Sequence, residues 1–148
     1  MQKKRAQAGL TYHVSVTRQD EARARAETRG HLMALNIQKG SGEAGFNAAE
    51  TLLSALGACL LTNVNALSKK MHLQINAARM EIDAERRDEP PALTAIRYRL
   101  VLDSPEPADK LQELHEICVK WGTVTNTLLN GIVPQGQLVL SPDRKEGV

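Results

Sequence analysis

Apolar and polar residues alternate at the start of the chain. Residues 10–17 carry an apolar side chain at every second position, which predicts a half-buried β-strand. These apolar residues are Leu10, Tyr12, Val14 and Val16. Residues 24–38 are predicted to be a second strand that follows a turn near Asp20 and pairs with the first as a hairpin. Three glycines within residues 39–45 predict a flexible loop after this hairpin.

A long helix is predicted next. Asn47 and Glu50 have the spacing of a capping box, in which each residue satisfies a backbone N–H of the other. Apolar residues then recur at helical intervals, namely Leu52, Leu56, Cys59, Leu60, Val64, Leu67 and Met71. This pattern predicts a largely buried helix. Gly57 removes side-chain bulk beside Cys59, so another backbone or a ligand can approach that turn closely.

The second half of the chain predicts two strands, two helices and a last strand. The strands are expected at residues 72–86 and 93–102, with the break between them at two consecutive prolines. A helix is predicted from Pro107 to about Trp121, with an apolar stripe made of Leu111, Leu114, Cys118 and Trp121. A short helix at 123–129 and an edge strand at 137–140 follow. Hairpins and helices in separate runs indicate an α+β fold.

Composition narrows the class of protein. The 148 residues, 42% of them hydrophobic, fit one domain at residues 10–141, with flexible tails at 1–9 and 142–148. A net charge of +2 and only four aromatic residues argue against a nucleic-acid partner. No apolar run reaches the roughly 18 residues of a membrane span, and no signal peptide is evident. We therefore expect no membrane partner and a cytoplasmic location.

Two cysteines, Cys59 and Cys118, are the first candidates for chemistry. In a reducing compartment, thiols of this kind are core residues, metal ligands or reactive groups. The four histidines are scattered, and only His115 has a close donor partner, Cys118, three residues later. Two ligands do not make a metal site, although a histidinium at this spacing would lower the pKa of Cys118. We expect no metal and no cofactor.

The segment GFNAAETLLSALGAC, which ends at Cys59, resembles the central helix of the OsmC/Ohr family. The order of elements agrees over nearly the whole chain, and residues 123–128 are similar to the family's second helix region. The chain is more similar to the OsmC-like branch than to the hydroperoxide-resistance branch. The resemblance implies an OsmC-like α+β fold with antiparallel sheets and a long central helix, in an intertwined homodimer that carries two thiol sites at its interface.

The activity that the resemblance implies is thiol-dependent reduction of organic hydroperoxides. Cys59 matches the family's peroxide-attacking cysteine, although a lone cysteine on an apolar stripe is otherwise a packed residue. The family's second, resolving cysteine falls on Gly122. Cys118 lies one helical turn earlier, so it either approaches Cys59 as a resolving thiol or belongs to the core. An external thiol is the alternative reductant.

Two charged residues are further candidates for the site. The hydroperoxide-resistance branch uses a glutamate bonded to an arginine, and the position of that glutamate is here Ala49. Glu50 is one residue later and faces the other side of the helix from Cys59, so capping competes with a catalytic role. Arg18, after the first strand, is the best match for the arginine, and its alternative is a solvated position on a strand.

The first interpretation is therefore a homodimeric peroxidase whose substrate is a hydroperoxide with an apolar tail, because Leu56 and Leu60 give the thiol aliphatic surroundings. The alternative is a non-catalytic dimer that binds an apolar small molecule in the interface pocket, since Ala49 and Gly122 remove two parts of the peroxide-reducing arrangement. A thiol enzyme that acts on another electrophile is a third hypothesis.

Overall fold

The computed structural model describes residues 9–40 and 43–141. In chain order the elements are β1 (Ser15–Arg18), β2 (Arg23–Thr28), β3 (His31–Asn36), α1 (Ala48–Lys70), β4 (Ala77–Asp88), β5 (Pro91–Asp103), α2 (Ala108–Lys120) and α3 (Thr123–Asn130). They form two compact units. The first combines the residues up to Gly57 with Ile82–Tyr98, and the second combines Ala58–Glu81 with the residues from Arg99 onward. The α+β class predicted from the sequence is confirmed.

The first unit contains a three-stranded antiparallel sheet in the order β1–β2–β3. The expected single strand at residues 24–38 is wrong, because the chain reverses at Arg29 and Gly30 and forms a hairpin of its own. Both turn residues have positive φ, 48° and 80°, the combination that matches the twist of a two-residue hairpin. The turn between β1 and β2 is held by Asp20, whose carboxylate accepts the backbone N–H groups of Ala22 and Arg23.

The first strand is shorter and more exposed than its pattern predicts. Strand β1 includes only Ser15–Arg18, and residues 10–14 have no regular structure. The alternating apolar residues Leu10, Tyr12, Val14 and Val16 are all exposed. Strand β1 pairs on one side only, with β2, so no second strand covers this edge within the described residues.

Helix α1 begins with the predicted capping box. The Asn47 side chain accepts the Glu50 backbone N–H at 2.9 Å, and the Glu50 carboxylate accepts the Asn47 N–H at 2.9 Å. By length and composition this helix is apolar enough to cross a membrane, a test that core helices of soluble proteins also pass. Three residues of the predicted stripe, Leu56, Leu60 and Val64, are buried, whereas Leu52 is exposed.

Strands β4 and β5 form a two-stranded sheet. Strand β4 begins five residues later than predicted and ends two residues later, whereas β5 is longer than predicted. The expected break is the turn between them, at Glu89 and Pro90. Alternate residues of the first part of β4 are exposed, as the sequence pattern predicts for a sheet with one covered face.

The second unit holds α2, α3 and the later part of α1. Its fully buried side chains are Leu60 and Val64 on α1 and Leu114 and Cys118 on α2. Trp121 was expected on this stripe and is instead 67% exposed, because α2 ends at Lys120 and the backbone has left the helical conformation at Trp121. Helix α3 ends at Asn130 before Gly131, which has a positive φ of 68°.

The expected edge strand at residues 137–140 is absent. Residues 131–141 have no regular structure, and Leu138, Val139 and Leu140 are exposed. A strand requires a pairing partner, and none of the described strands provides one for this segment. The expected flexible tails at 1–9 and 142–148 lie outside the described residues, apart from Gly9.

Candidate active site

Cys59 lies on α1, partly exposed, at the point where the chain passes from α2 into α3. Gly122 separates these two helices and faces the cysteine. A Cβ atom on Gly122 would lie 3.3 Å from the Cys59 Sγ. The position where the resemblance places a resolving cysteine is therefore next to Cys59, and it carries no side chain.

The side chain of Thr125 reaches the same point. Its Oγ1 would lie 2.6 Å from a Cβ on Gly122, closer than two such atoms approach in proteins, so the threonine takes the space that a side chain at 122 would need. The Thr125 Oγ1 is buried and has no hydrogen-bond partner among the described residues. A buried hydroxyl without a partner is uncommon in folded proteins and calls for an explanation.

The beginning of α3 lies at the same place. Gly122 is the N-cap residue of α3 and gives it no side-chain cap. The first N–H groups of a helix have no acceptor within the helix, and together with the helix dipole they favour negative charge at that end. The Cys59 sulfur lies beside this N-cap position, 3.3 Å from where a Cβ on Gly122 would be.

A side-chain hydrogen bond fixes the register between α1 and α2. The Asn63 Nδ2 donates to the backbone carbonyl of Cys118 at 2.9 Å. Asn63 is one turn after Cys59, and Cys118 is one turn before Gly122. The two helices therefore run antiparallel here, with Cys59 level with Gly122 and Asn63 level with Cys118.

The last four carbonyls of α2 all have donors. Two accept from the following backbone, Ile117 from Trp121 and Val119 from Gly122. The Cys118 carbonyl accepts from Asn63 on α1, and the Lys120 carbonyl accepts from the Asn126 amide on α3 at 3.1 Å. The last carbonyl groups of a helix have no donor within the helix. Here side chains from the two neighbouring helices supply two of these donors.

Cys118, the second cysteine, is fully buried and both cysteines are free. Burial raises the pKa of the Cys118 thiol to about 11, because an apolar environment disfavours the thiolate. At pH 7 about one molecule in ten thousand would carry this thiolate. These are the properties of the core alternative that the sequence left open.

Glu50 and Arg18 belong to the first unit, whereas Cys59 belongs to the second. The Glu50 carboxylate is engaged in the capping box, as its spacing from Asn47 predicts. Arg18 is the last residue of β1 and is exposed. Its role as a thiolate-activating cation stays a prediction, as does a catalytic role for Glu50.

Other candidate sites are sparse. Within residues 9–40 and 43–141 no three His, Cys, Asp or Glu side chains come together in a way that could hold a metal ion. A wide-open groove of about 890 Å³ lies at the start of α1, between Asn36, Lys39, Asn47 and Arg86. Neither cysteine lines this groove.

Sequence reasoning missed two residues of the site, Thr125 and Asn63. Each has a weak signal, since Asn63 is four residues after Cys59 and thus on the same face of α1, and Thr125 is three residues after Gly122. Neither spacing reveals that the two helices meet at this register.

The sequence model of the family described as "OsmC-like protein" matches residues 40–135, which include α1, both cysteines, Gly122 and Thr125. The chain belongs to the OsmC-like family. The resemblance seen in the segment that ends at Cys59 is thereby confirmed. No curated protein matches this sequence.

Solved structures agree on the OsmC-like fold. An OsmC-like protein from Mycoplasma pneumoniae is 21% identical, with a TM-score of 0.77 over 84% of this chain and 91% of that chain. A hypothetical protein from Aquifex aeolicus VF5 is 18% identical, with a TM-score of 0.72 over 83% and 90%. The organic hydroperoxide resistance protein OhrB of Bacillus subtilis is 15% identical, with a TM-score of 0.60 over 82% and 93%. At these identities the likeness establishes the fold.

Proposed function

We propose that this protein reduces organic hydroperoxides through Cys59. Membership of the OsmC-like family supports this proposal, as do structural relatives that are named for hydroperoxide resistance, including OhrB of Bacillus subtilis. The substrate class is a hydroperoxide with an apolar tail. The chemistry needs a thiol and a thiol reductant, and it uses neither a metal nor a cofactor.

The observation that carries this proposal is the position of the Cys59 sulfur at the uncapped beginning of α3. A thiolate is the nucleophile in peroxide reduction, and an adjacent helix N-terminus stabilises negative charge. Cys59 is also partly exposed, so a peroxide has access to it. Cys118 lacks this access.

In the proposed reaction the Cys59 thiolate attacks the distal oxygen of the hydroperoxide. An S–O bond forms while the O–O bond breaks, and the alkoxide leaves and takes up a proton to become the alcohol. The sulfur gives up two electrons and becomes a sulfenic acid. A thiol must then reduce this sulfenic acid before the next turnover.

The test is consumption of cumene hydroperoxide by the reduced protein, with the mass of the protein measured after one equivalent of peroxide and with dimedone present to trap sulfenic acid. We expect the wild type and Cys118→Ser to consume peroxide and Cys59→Ser to consume none. Peroxide that is left untouched by the wild type would contradict the proposal and favour the non-catalytic protein that binds an apolar molecule.

The proposal includes a homodimer. Large apolar side chains are exposed in both units, on the first strand, at the end of α3 and along residues 132–140. Exposed apolar surface on this scale is typical of protein interfaces. In a dimer the unpaired β1 edge and the irregular residues after α3 would find partners that one chain does not offer.

A further inference from the structure

The space beside Cys59 is filled by a hydroxyl where a resolving thiol would be expected. A Cβ on Gly122 would lie 3.3 Å from the Cys59 sulfur and 2.6 Å from the Thr125 Oγ1. The sulfur and this hydroxyl therefore lie within about 6 Å of each other. The hydroxyl is buried and has no partner among the described residues.

The unpaired hydroxyl has a cost in the reduced protein. Leaving a buried hydroxyl without a hydrogen bond destabilises the folded state, and a valine of the same shape would avoid this loss. A hydrogen-bond acceptor that forms between Cys59 and Thr125 during the reaction would give this hydroxyl a partner and remove the loss of stability. Oxidation of Cys59 adds such an acceptor, because a sulfenate oxygen is bonded to the sulfur and carries negative charge.

We propose that Cys59 works in a one-cysteine cycle in which the Thr125 hydroxyl donates a hydrogen bond to the Cys59 sulfenate and an external thiol resolves it. This inference rests on the proposed function, since it needs Cys59 to be oxidised by a hydroperoxide. The uncapped N-terminus of α3 stabilises the same negative charge. The resolving position, Gly122, carries no thiol, and Cys118 is fully buried one helical turn before it.

The external reductant is a small thiol. Its sulfur attacks the Cys59 sulfur, the S–O bond breaks, and the oxygen leaves as water with one proton from the thiol and one that the sulfenate takes up from solvent. A second molecule of the thiol attacks the mixed disulfide, so Cys59 is released reduced and the two small thiols leave as a disulfide.

The experiment compares wild type, Cys118→Ser, Thr125→Val and Thr125→Ser in excess cumene hydroperoxide, because sulfinic acid forms only when a second molecule of peroxide oxidises the sulfenic acid. Dimedone is added after increasing delays, and mass spectrometry follows the sulfenic acid and its further oxidation to sulfinic acid. Glutathione in a parallel sample tests for the mixed disulfide. Urea unfolding of each reduced variant measures stability separately.

We expect wild type and Cys118→Ser to gain the same dimedone adduct on Cys59 without an internal disulfide, and to form the mixed disulfide with glutathione. Thr125→Val should be at least as stable as wild type yet lose its sulfenic acid about fivefold faster, the effect of one hydrogen bond. Thr125→Ser, which keeps the hydroxyl, should restore the lifetime. A purely structural threonine would not give this combination.

The failures are distinguishable. If wild type loses two mass units and Cys118→Ser does not, the one-cysteine cycle is overturned and peroxide reduction stands. If Thr125→Val keeps the wild-type lifetime, the role of Thr125 is overturned alone. If Cys59 is not oxidised at all, the proposed function is overturned and this inference with it.

A designed second thiol tests the geometry without any peroxide. Gly122→Cys combined with Thr125→Ala removes the 2.6 Å contact and places a thiol beside Cys59. With the thiol oxidant diamide, we expect this variant to lose two mass units through a disulfide to Cys59. Gly122→Ser with Thr125→Ala is the matched control. Absence of a disulfide in the folded cysteine variant would contradict the placement of residue 122.

Discussion

Asn63 on α1 holds the backbone carbonyl of Cys118 on α2 through its side-chain amide, at 2.9 Å. This bond crosses between two helices one turn away from the Cys59 sulfur. It completes the end of α2 and sets which residue of the α2–α3 connection faces Cys59.

Replacing Asn63 by Ala leaves the Cys118 carbonyl without its donor. We expect a loss of about 1–3 kcal/mol in the free energy of unfolding, the cost of a polar group left unpaired in a partly buried place. Urea unfolding at fixed protein concentration measures this loss. Asn65→Ala, at an exposed position on the same helix, is the control and should change stability little. Equal midpoints for both variants would show that the bond contributes nothing.

Variants of the capping box distinguish the capping role of Glu50 from a catalytic role. Glu50→Gln keeps an oxygen that accepts the Asn47 N–H, so we expect unchanged stability and peroxide reduction within about twofold of wild type. Asn47→Ala should cost about 1 kcal/mol through loss of the cap. A loss of activity of about a hundredfold or more in Glu50→Gln would instead identify a proton-transfer role.

Cys118 should resist alkylation while the protein is folded. In the Cys59→Ser variant Cys118 is the sole thiol, it is fully buried, and its pKa is raised to about 11. Iodoacetamide at pH 8 should therefore label it only after urea is added, as measured by mass. Equal labelling rates with and without urea would contradict its burial.

The raised pKa of Cys118 also predicts that the folded protein loses stability at alkaline pH. The folded protein holds this proton more tightly than the unfolded chain, in which the pKa has its ordinary value of 9.0. The contribution to stability is therefore complete below pH 9 and is lost as the pH rises toward 11. The difference in unfolding midpoint between wild type and Cys118→Ala, which has no titrating group there, should fall over this range.

The Asp20 carboxyl gives folding stability the opposite dependence on pH. Hydrogen bonds from the Arg23 side chain, and then from the Ala22 backbone, lower the pKa of the Asp20 carboxyl from 3.8 to about 2. The stabilisation it brings is present above pH 3.8 and is lost as the pH falls toward 2. In an NMR titration, Arg23→Gln should move this pKa toward 3.8. Arg25→Gln, an exposed position on the same strand, should leave it in place.

Dimer formation is tested by light scattering, which we expect to give about twice the chain mass of 16.2 kDa. Leu138→Asp puts a charge on the exposed apolar segment after α3 and should weaken the dimer at least tenfold. Gln137→Asp adds the same charge at the neighbouring polar position and should have little effect. A monomer mass for wild type would contradict the intertwined arrangement.

Local signals explain which parts of the fold could be predicted. The beginning of α1 is encoded by Asn47 and Glu50, and the end of α3 by Gly131, so a few neighbouring residues determine each helix boundary. The strand expected at residues 137–140 is absent, and the one expected at 10–17 forms only from Ser15 onward, because alternation shows only that one face can be covered. It does not identify the strand that would pair with it.

The candidate site likewise contains residues that the local sequence predicts and residues that it does not predict. Cys59 was predicted from its own motif, and the capping role of Glu50 from a spacing of three residues. Thr125 and Asn63 were missed because each acts on a residue that is distant along the chain. Their importance depends on the alignment of two helices, which the spacing within either helix does not contain.

The antiparallel match between Cys59 with Gly122 and Asn63 with Cys118 also makes chain length part of the chemistry. Cys59 and Asn63 are four residues apart on α1, and Cys118 and Gly122 are four residues apart at the end of α2. Both contacts between the helices depend on these two intervals being equal. One residue inserted between Cys118 and Gly122 would turn the following backbone by about 100° and carry the glycine away from the sulfur. In this protein a deletion or insertion at that point would separate Cys59 from Gly122 and Thr125, although all three residues would still be present.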